Sequence, residues 1–195
     1  AQRKRLTDAL DERGLSVAGW RDVPIDLDAL GDKARATCPR IEQVFVTAAD
    51  GVDDAELQRR LFIARRRAEA ATDPAEAFYI ASLSATTLSY KGMVMPEHLP
   101  AFFPDLADER LETNVALFHQ RFSTNTLPRW RLAQPFRMLA HNGEINTIRG
   151  NRNWARARRH LLASPELPEI AELDPPVELH GSDSSSLDQM LELLV

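Results

Sequence analysis

The sequence predicts an α+β fold. Short apolar runs with strand character follow one another through short connections, and helical patterns cluster before and after them rather than alternating with each strand. A length of 195 residues suffices for one sizeable core. Ala1 to Arg13 is charged and helix-compatible, ending at Gly14, a residue suited to the position just past a helix C-terminus. Ile41 to Thr47 alternates toward a β-branched strand, and Asp53-Asp54-Ala55-Glu56 has the form of a capping box opening a long helix. In that helix Leu57, Leu61, Ala64 and Ala68 recur on one face, which predicts a buried stripe, with Arg65-Arg66-Arg67 on the wet side. Phe78 to Leu83 and Thr86 to Tyr90 are expected to form a hairpin.

Pro96, Pro100 and Pro104, with Phe102 and Phe103 between them, make 96–113 a connecting segment with a few apolar anchors and no continuous helix. Two strands are expected at about 114–122 and 136–142, then a helix from about Ile148 to Leu162. A second Pro-containing connection covers 164–180, and a last helix begins at about Ser186. The net charge of −5 gives no reason to expect nucleic acid or an anionic membrane as partner. No apolar run approaches the ~18 residues of a spanning helix, and the single cysteine, Cys38, allows neither a disulfide framework nor a thiol zinc site. A reducing cytoplasm is the expected location.

Two polar clusters carry the chemistry. The first, His119-Gln120-Arg121-Phe122-Ser123-Thr124, ends an apolar run at an arginine whose fork of donors suits bidentate capture of a carboxylate. The second, His141-Asn142-Gly143-Glu144, offers a side-chain amide and an unobstructed backbone N–H, the composition of an oxyanion hole. Each has a plainer reading: Asn-Gly is a common hairpin turn, and an arginine near a strand end is often a solvated edge charge.

The joint string from Arg121 to Arg159, RFSTNTLPRWRLAQPFRMLAHNGEINTIRGNRNWARARR, resembles the glutaminase domain of the glutamate synthase large subunit, a class II (N-terminal nucleophile) glutamine amidotransferase. Gly19 to Pro24, Pro39 to Val46, Tyr90 to Met93 and Gly181-Ser182-Asp183-Ser184 agree with it, so the resemblance runs from about Leu15 to the C-terminus. It implies a four-layer αββα sandwich of two antiparallel sheets, of which residues 1–195 form part of one domain. It also implies that L-glutamine is hydrolysed to glutamate and ammonia, which is channelled to a synthase region and used to aminate 2-oxoglutarate. FMN and an iron–sulfur cluster are then expected in downstream domains, none in this chain, and a small NADPH-binding subunit or ferredoxin is the expected electron donor.

By the same resemblance Arg121 takes the glutamine α-carboxylate, with Thr124 in the same pocket wall. Asn142 and Gly143 form the oxyanion hole, and Asp183 binds the α-ammonium. Arg121, Asn142, Gly143 and Asp183 are therefore expected around one concavity. The alternative for Asp183 is to cap the last helix; Ser186 with Gln189 is expected to take over that role if Asp183 faces the pocket. His119 and His141 are expected as structural side chains near the site, since no carboxylate or thiol accompanies them at ligand spacing.

The family nucleophile is a cysteine at the mature N-terminus, with its own α-amino group as base. Ala1 is no such cysteine, and Leu191 to Val195 is still helix-compatible where the sequence stops, so an internal piece of a longer polypeptide, incomplete on its N-terminal side and inactive alone, is expected. Cys38 has no motif or histidine beside it and reads as a small hydrophobe. Two rival readings are a non-catalytic amino-acid-binding module using Arg121 and Asp183, and an interaction domain built on the helix bearing Arg149, Arg152, Arg156, Arg158 and Arg159.

Overall fold

The structure, a computed structural model, describes residues 1–73, 76, 78–121, 127–179 and 181–194. It divides into two compact units, Ala1–Ala116 and Leu117–Val195.

The first unit opens with helix α1, Gln2–Asp11. Gly14 reverses the chain with φ +67°, a backbone conformation that calls for glycine. Strand β1, Leu15–Asp22, follows and pairs antiparallel with β2, Glu42–Ala48, in a register from Leu15↔Ala48 to Asp22↔Glu42 with an irregularity between Val17 and Gly19. A short helix α2, Asp32–Ala36, lies between the two strands in sequence. Helix α3, Asp54–Ala70, starts as its sequence predicts: the Asp53 carboxylate accepts the Glu56 N–H at 2.8 Å.

Leu6, Ala9 and Leu10 of α1 and Leu61, Ala64 and Ala68 of α3 are buried in one core with Leu15 and Ile80. Val17, Trp20, Val44 and Val46 of the sheet pack partly against it. Each large aliphatic side chain so buried contributes roughly 1.5–3 kcal/mol. The expected apolar stripe of α3 is thus the core face, but its arginines are not wet. Arg65 is 1% exposed, ion-paired with Glu69 at 2.7 Å and set against the Phe62 ring, and Arg66 and Arg67 are half-buried. Successive residues of a helix lie about 100° apart, so three in a row span about 200° of its circumference and cannot share one solvent face.

The expected hairpin over 78–90 is a reversal without a strand ladder. The Ser84 hydroxyl accepts the N–H groups of Thr86 and Thr87 at 3.1 and 3.2 Å, and Ser82 Oγ accepts that of Ser89 at 3.1 Å. In the proline-spaced segment a short helix α4, Leu99–Phe102, buries Phe102 and Phe103, with the Tyr90 ring edge-on to Phe103 at 5.1 Å. The Tyr90 hydroxyl donates to Asp105 at 2.7 Å; burial, then that bond, push its pKa up to about 12.

In the second unit helix α5, Ile148–Arg158, continues as a 3-10 turn to Leu161, close to the expected limits. Helix α6, Asp183–Leu194, begins a turn before the expected Ser186. Its cap is Ser182, whose hydroxyl accepts the Ser185 N–H at 3.0 Å, so Ser186 and Gln189 do not serve as the cap. Neither 114–121 nor 136–142 is a strand. Thr113 Oγ1 folds back on Val115, accepting its N–H at 3.3 Å and donating to its carbonyl at 2.9 Å. The amides of 137–139 and 141 are claimed by side chains described below.

Leu10→Ala should lower unfolding stability by about 2–5 kcal/mol, because Leu10 has no exposed surface. Asp53→Ala should cost about 1 kcal/mol through the lost cap. Denaturant titration that ranked the two in the reverse order would contradict this account of the first core.

Candidate functional site

The segment from Gln134 to Ile145 is held at three places by side chains. At its base the Gln134 carboxamide accepts the His141 N–H at 2.9 Å and donates to the His141 carbonyl at 3.0 Å, both bonds that a neighbouring strand would make. At its turn Phe136 N–H donates to Leu139 O at 2.9 Å, and the Asp188 carboxylate of α6 collects three consecutive amides, Arg137, Met138 and Leu139, at 3.3, 2.7 and 3.2 Å. At its end Asp183 Oδ2 accepts the Ile145 N–H at 2.7 Å. Asn142 and Gly143 stand exposed between the first brace and the last.

His141 turns its ring onto this loop: Nδ1 accepts the Gly143 N–H at 3.0 Å. A nitrogen that accepts carries no proton, so in the neutral ring the proton sits on Nε2, which is buried with no hydrogen-bond partner among the described residues. A Cβ on Gly143 would lie 3.3 Å from the same Nδ1. The expected structural histidine is therefore present, and it occupies one of the two expected oxyanion donors.

Helix α5 fixes the start of α6. Arg152 donates to Ser186 Oγ at 3.0 Å and to the carbonyls of Gly181 and Ser182 at 2.7 and 3.0 Å. Gly181 has no room for a side chain, since a Cβ would collide with Ser185 Oγ and lie 2.9 Å from Glu178 Oε2. Glu178 in turn pairs with Arg131 at 2.5 Å. The arginines of α5 thus do not act as one basic face. Arg152 packs inward, Arg149 and Arg156 are exposed, Arg158 lies over Trp154 and Arg159 faces Asp174 at 3.5 Å.

Asp183 is half-buried. Burial raises its pKa, but the amides of Ile145 and Ser184, the Ser184 hydroxyl and the nearby His141 together outweigh it, and the net shift is downward. Its oxygens accept three bonds, from Ile145 N, Ser184 N and Ser184 Oγ, of the roughly four that a carboxylate offers.

Of the expected site residues, Asn142 and Gly143 share one loop, and Asp183 at the start of α6 bonds that loop at Ile145. Arg121 is exposed, and among the described residues no hydrogen bond or ion pair joins it to the other three. Thr124 lies outside the described residues. His119 is half-buried. Sequence reasoning missed Gln134 and Asp188, and it named Ser182 and Arg152 without the bonds they make here. The one visible signal was Asp188, a carboxylate between Leu187 and Leu191 in the last helical run. Cys38 is half-buried, burial pushes its thiol pKa up, and its Sγ lies 3.6 Å from the Pro39 carbonyl, the environment of an inert thiol. Among the described residues no three His, Cys, Asp or Glu side chains converge as a metal would need.

The depressed Asp183 pKa has a definite sign in stability. Its contribution is complete above the ordinary aspartate value of 3.8 and is lost as pH falls from there through the folded-state value. The stability gap between the parent and Asp183→Asn should therefore stay constant at neutral pH and narrow below about pH 4. A gap that stayed the same down to pH 2 would contradict the bonds assigned to this carboxylate.

The family description of class II glutamine amidotransferases matches residues 1–195. The chain is 49% identical over 185 residues to the glutamate synthase [NADPH] large chain of Azospirillum brasilense, covering 93% of this chain and 12% of that protein. It is 45% identical to ferredoxin-dependent glutamate synthase 2 of Arabidopsis thaliana, described as chloroplastic, over 99% of this chain and 12% of that protein. It is 42% identical to the glutamate synthase [NADPH] large chain of Bacillus subtilis, over 98% of this chain and 13% of that protein. The chain thus spans about an eighth of the length of these relatives, and it belongs to the class II glutamine amidotransferase family.

Proposed function

We propose that this chain is the glutamine-binding and oxyanion-stabilising part of the glutaminase domain of a glutamate synthase, which hydrolyses glutamine to glutamate and ammonia for the reductive amination of 2-oxoglutarate. The observation that carries the reading is the bond from Ile145 N–H to Asp183, which ties an acidic group to the loop that presents Asn142 and Gly143. An amino acid with a side-chain amide needs an anionic partner for its ammonium and neutral donors for its carbonyl, close together.

Each group has a chemical task in this proposal. Asp183 retains about one acceptor site, which the α-ammonium fills. Arg121 offers its fork to the α-carboxylate, with Thr124 beside it. The Asn142 carboxamide and the Gly143 N–H receive the oxygen that gains charge as the amide carbon becomes tetrahedral. The imidazole of His141 keeps the Gly143 N–H bonded until that oxygen competes for it. The nucleophile is the family's N-terminal cysteine, a role for which the raised pKa of Cys38 is unsuited.

In the wider proposal residues 1–195 belong to one domain with an αββα four-layer sandwich, and 96–113 and 164–180 connect its elements. The exposed apolar run of Val115, Leu117 and Phe118, at 81, 56 and 76% exposure, supports further chain packing there. Ammonia passes to a synthase region carrying FMN and an iron–sulfur cluster. The relatives' names divide between NADPH and ferredoxin, so a small NADPH-binding subunit or ferredoxin is the proposed electron-donating partner. A cytoplasmic location is proposed, and no helix among the described residues is long and apolar enough to cross a membrane.

Arg121→Leu in the full-length gene product should raise the glutamine KM by about tenfold to a hundredfold, the worth of one charged hydrogen-bonded pair, and leave ammonia-dependent synthesis intact. Equal loss of both activities would assign Arg121 to folding. The 195-residue chain by itself should show no glutaminase turnover, and Cys38→Ser should leave glutamine-dependent activity of the full-length product unchanged. Hydrolysis abolished by that substitution would overturn the assignment.

A further inference from the structure

We infer that Gln134 is a positioning residue of the glutaminase reaction, setting the orientation of Asn142 and Gly143 through a two-bond clamp on His141; the inference rests on reading those two residues as the oxyanion donors. Three observations lead there. The Gln134 carboxamide makes both available backbone bonds of His141, at 2.9 and 3.0 Å, seven positions along the chain. His141 is the residue immediately before Asn142, and its ring bonds the Gly143 N–H at 3.0 Å, so the two peptide planes that Gln134 holds on either side of the His141 Cα set both donors. The Asn142-Gly143 pair is exposed, and two positions beyond it Ile145 bonds Asp183.

The clamp has the right chemistry for this task. A carboxamide holds a donor and an acceptor on separate atoms at fixed separation, so it can satisfy one residue's N–H and C=O together with both directions set, as an ionised carboxylate, which only accepts, cannot. Oxyanion stabilisation depends on donors already aimed when charge develops, and a misplacement of ~1 Å costs ~100-fold in rate. Asp188 anchors the same loop at its turn, but that carboxylate is 1% exposed and takes three amides, so its removal would test folding rather than aim. Gln134 is the half-buried, replaceable member of the pair.

The test uses the full-length gene product with Gln134→Met, which keeps length and loses both bonds, and Gln134→Glu, which keeps the acceptor and donates to the His141 carbonyl only when protonated. Gln134→Met should lower the glutamine kcat by about tenfold to a hundredfold, with KM within about threefold and ammonia-dependent synthesis unchanged. The Glu variant should gain on the Met variant as pH falls toward the carboxyl range, about 4–6. Asn142→Ala in the same assay reports on the underlying reading. If it lowers kcat while Gln134→Met does not, the positioning role is wrong and the oxyanion assignment stands. If Asn142→Ala leaves kcat unchanged, the oxyanion assignment fails and the positioning role with it. Parallel loss of both activities in both Gln134 variants, with no difference in pH profile, would make Gln134 a folding residue and overturn the inference.

Discussion

A carboxylate with 1% of its surface exposed stays buried only if its oxygens find donors, because removing a charged or polar group from water without partners costs several kcal/mol. Asp188 meets that condition with three consecutive backbone amides, 137–139, and so ties the 134–145 loop to α6. The three N–H groups belong to a segment that no strand partners, so carboxylate and loop each satisfy what the other would leave unmet. Because Asp188 lies about one and a half turns beyond Asp183 on α6, one rigid helix carries both the anchor of the loop and the acidic group that bonds its Ile145 end. Arg152 and the crowded Gly181 then fix where that helix begins.

The same device recurs wherever a strand was expected and none formed. Ser82 and Ser84 take the amides of the 78–90 reversal, Thr113 takes that of Val115, and Gln134 takes the N–H and carbonyl of His141. Apolar alternation in a sequence reports which side chains want burial; it does not report whether a neighbouring strand or a local oxygen will claim the backbone. Helices were legible because their hydrogen bonds are internal. The limits of α1, α3 and α5, the Asp53 cap and the glycine stop at Gly14 follow from spacing within each segment. Strand β1 was not legible, since Ala18 and Gly19 interrupt its alternation and only pairing with β2 gives it order.

The candidate site shows the same division. Asn142 and Gly143 stood out as chemistry within a short string, and Asp183 through family resemblance; in the structure Ile145 of the same loop bonds Asp183. Gln134 and Asp188 could not be found by spacing, because each acts on a backbone 7 or about 50 positions away and neither carries a signature for it. Arg65 is the converse case: it read as solvated because of its two arginine neighbours, and it lies in the interior with Glu69 and Phe62. Charge alone did not predict exposure where a partner one helical turn away and an aromatic face were available.

In the proposed function one helix sets the distance between the partner of a glutamine ammonium and the donors to its side-chain carbonyl. A crystal structure of the full-length gene product with glutamine bound tests it most directly. The account predicts the α-ammonium within hydrogen-bond distance of Asp183, and the side-chain carbonyl facing Asn142 and the Gly143 N–H, now turned from His141. Glutamine seated with its ammonium away from Asp183, or its carbonyl away from the Asn142-Gly143 loop, would contradict it.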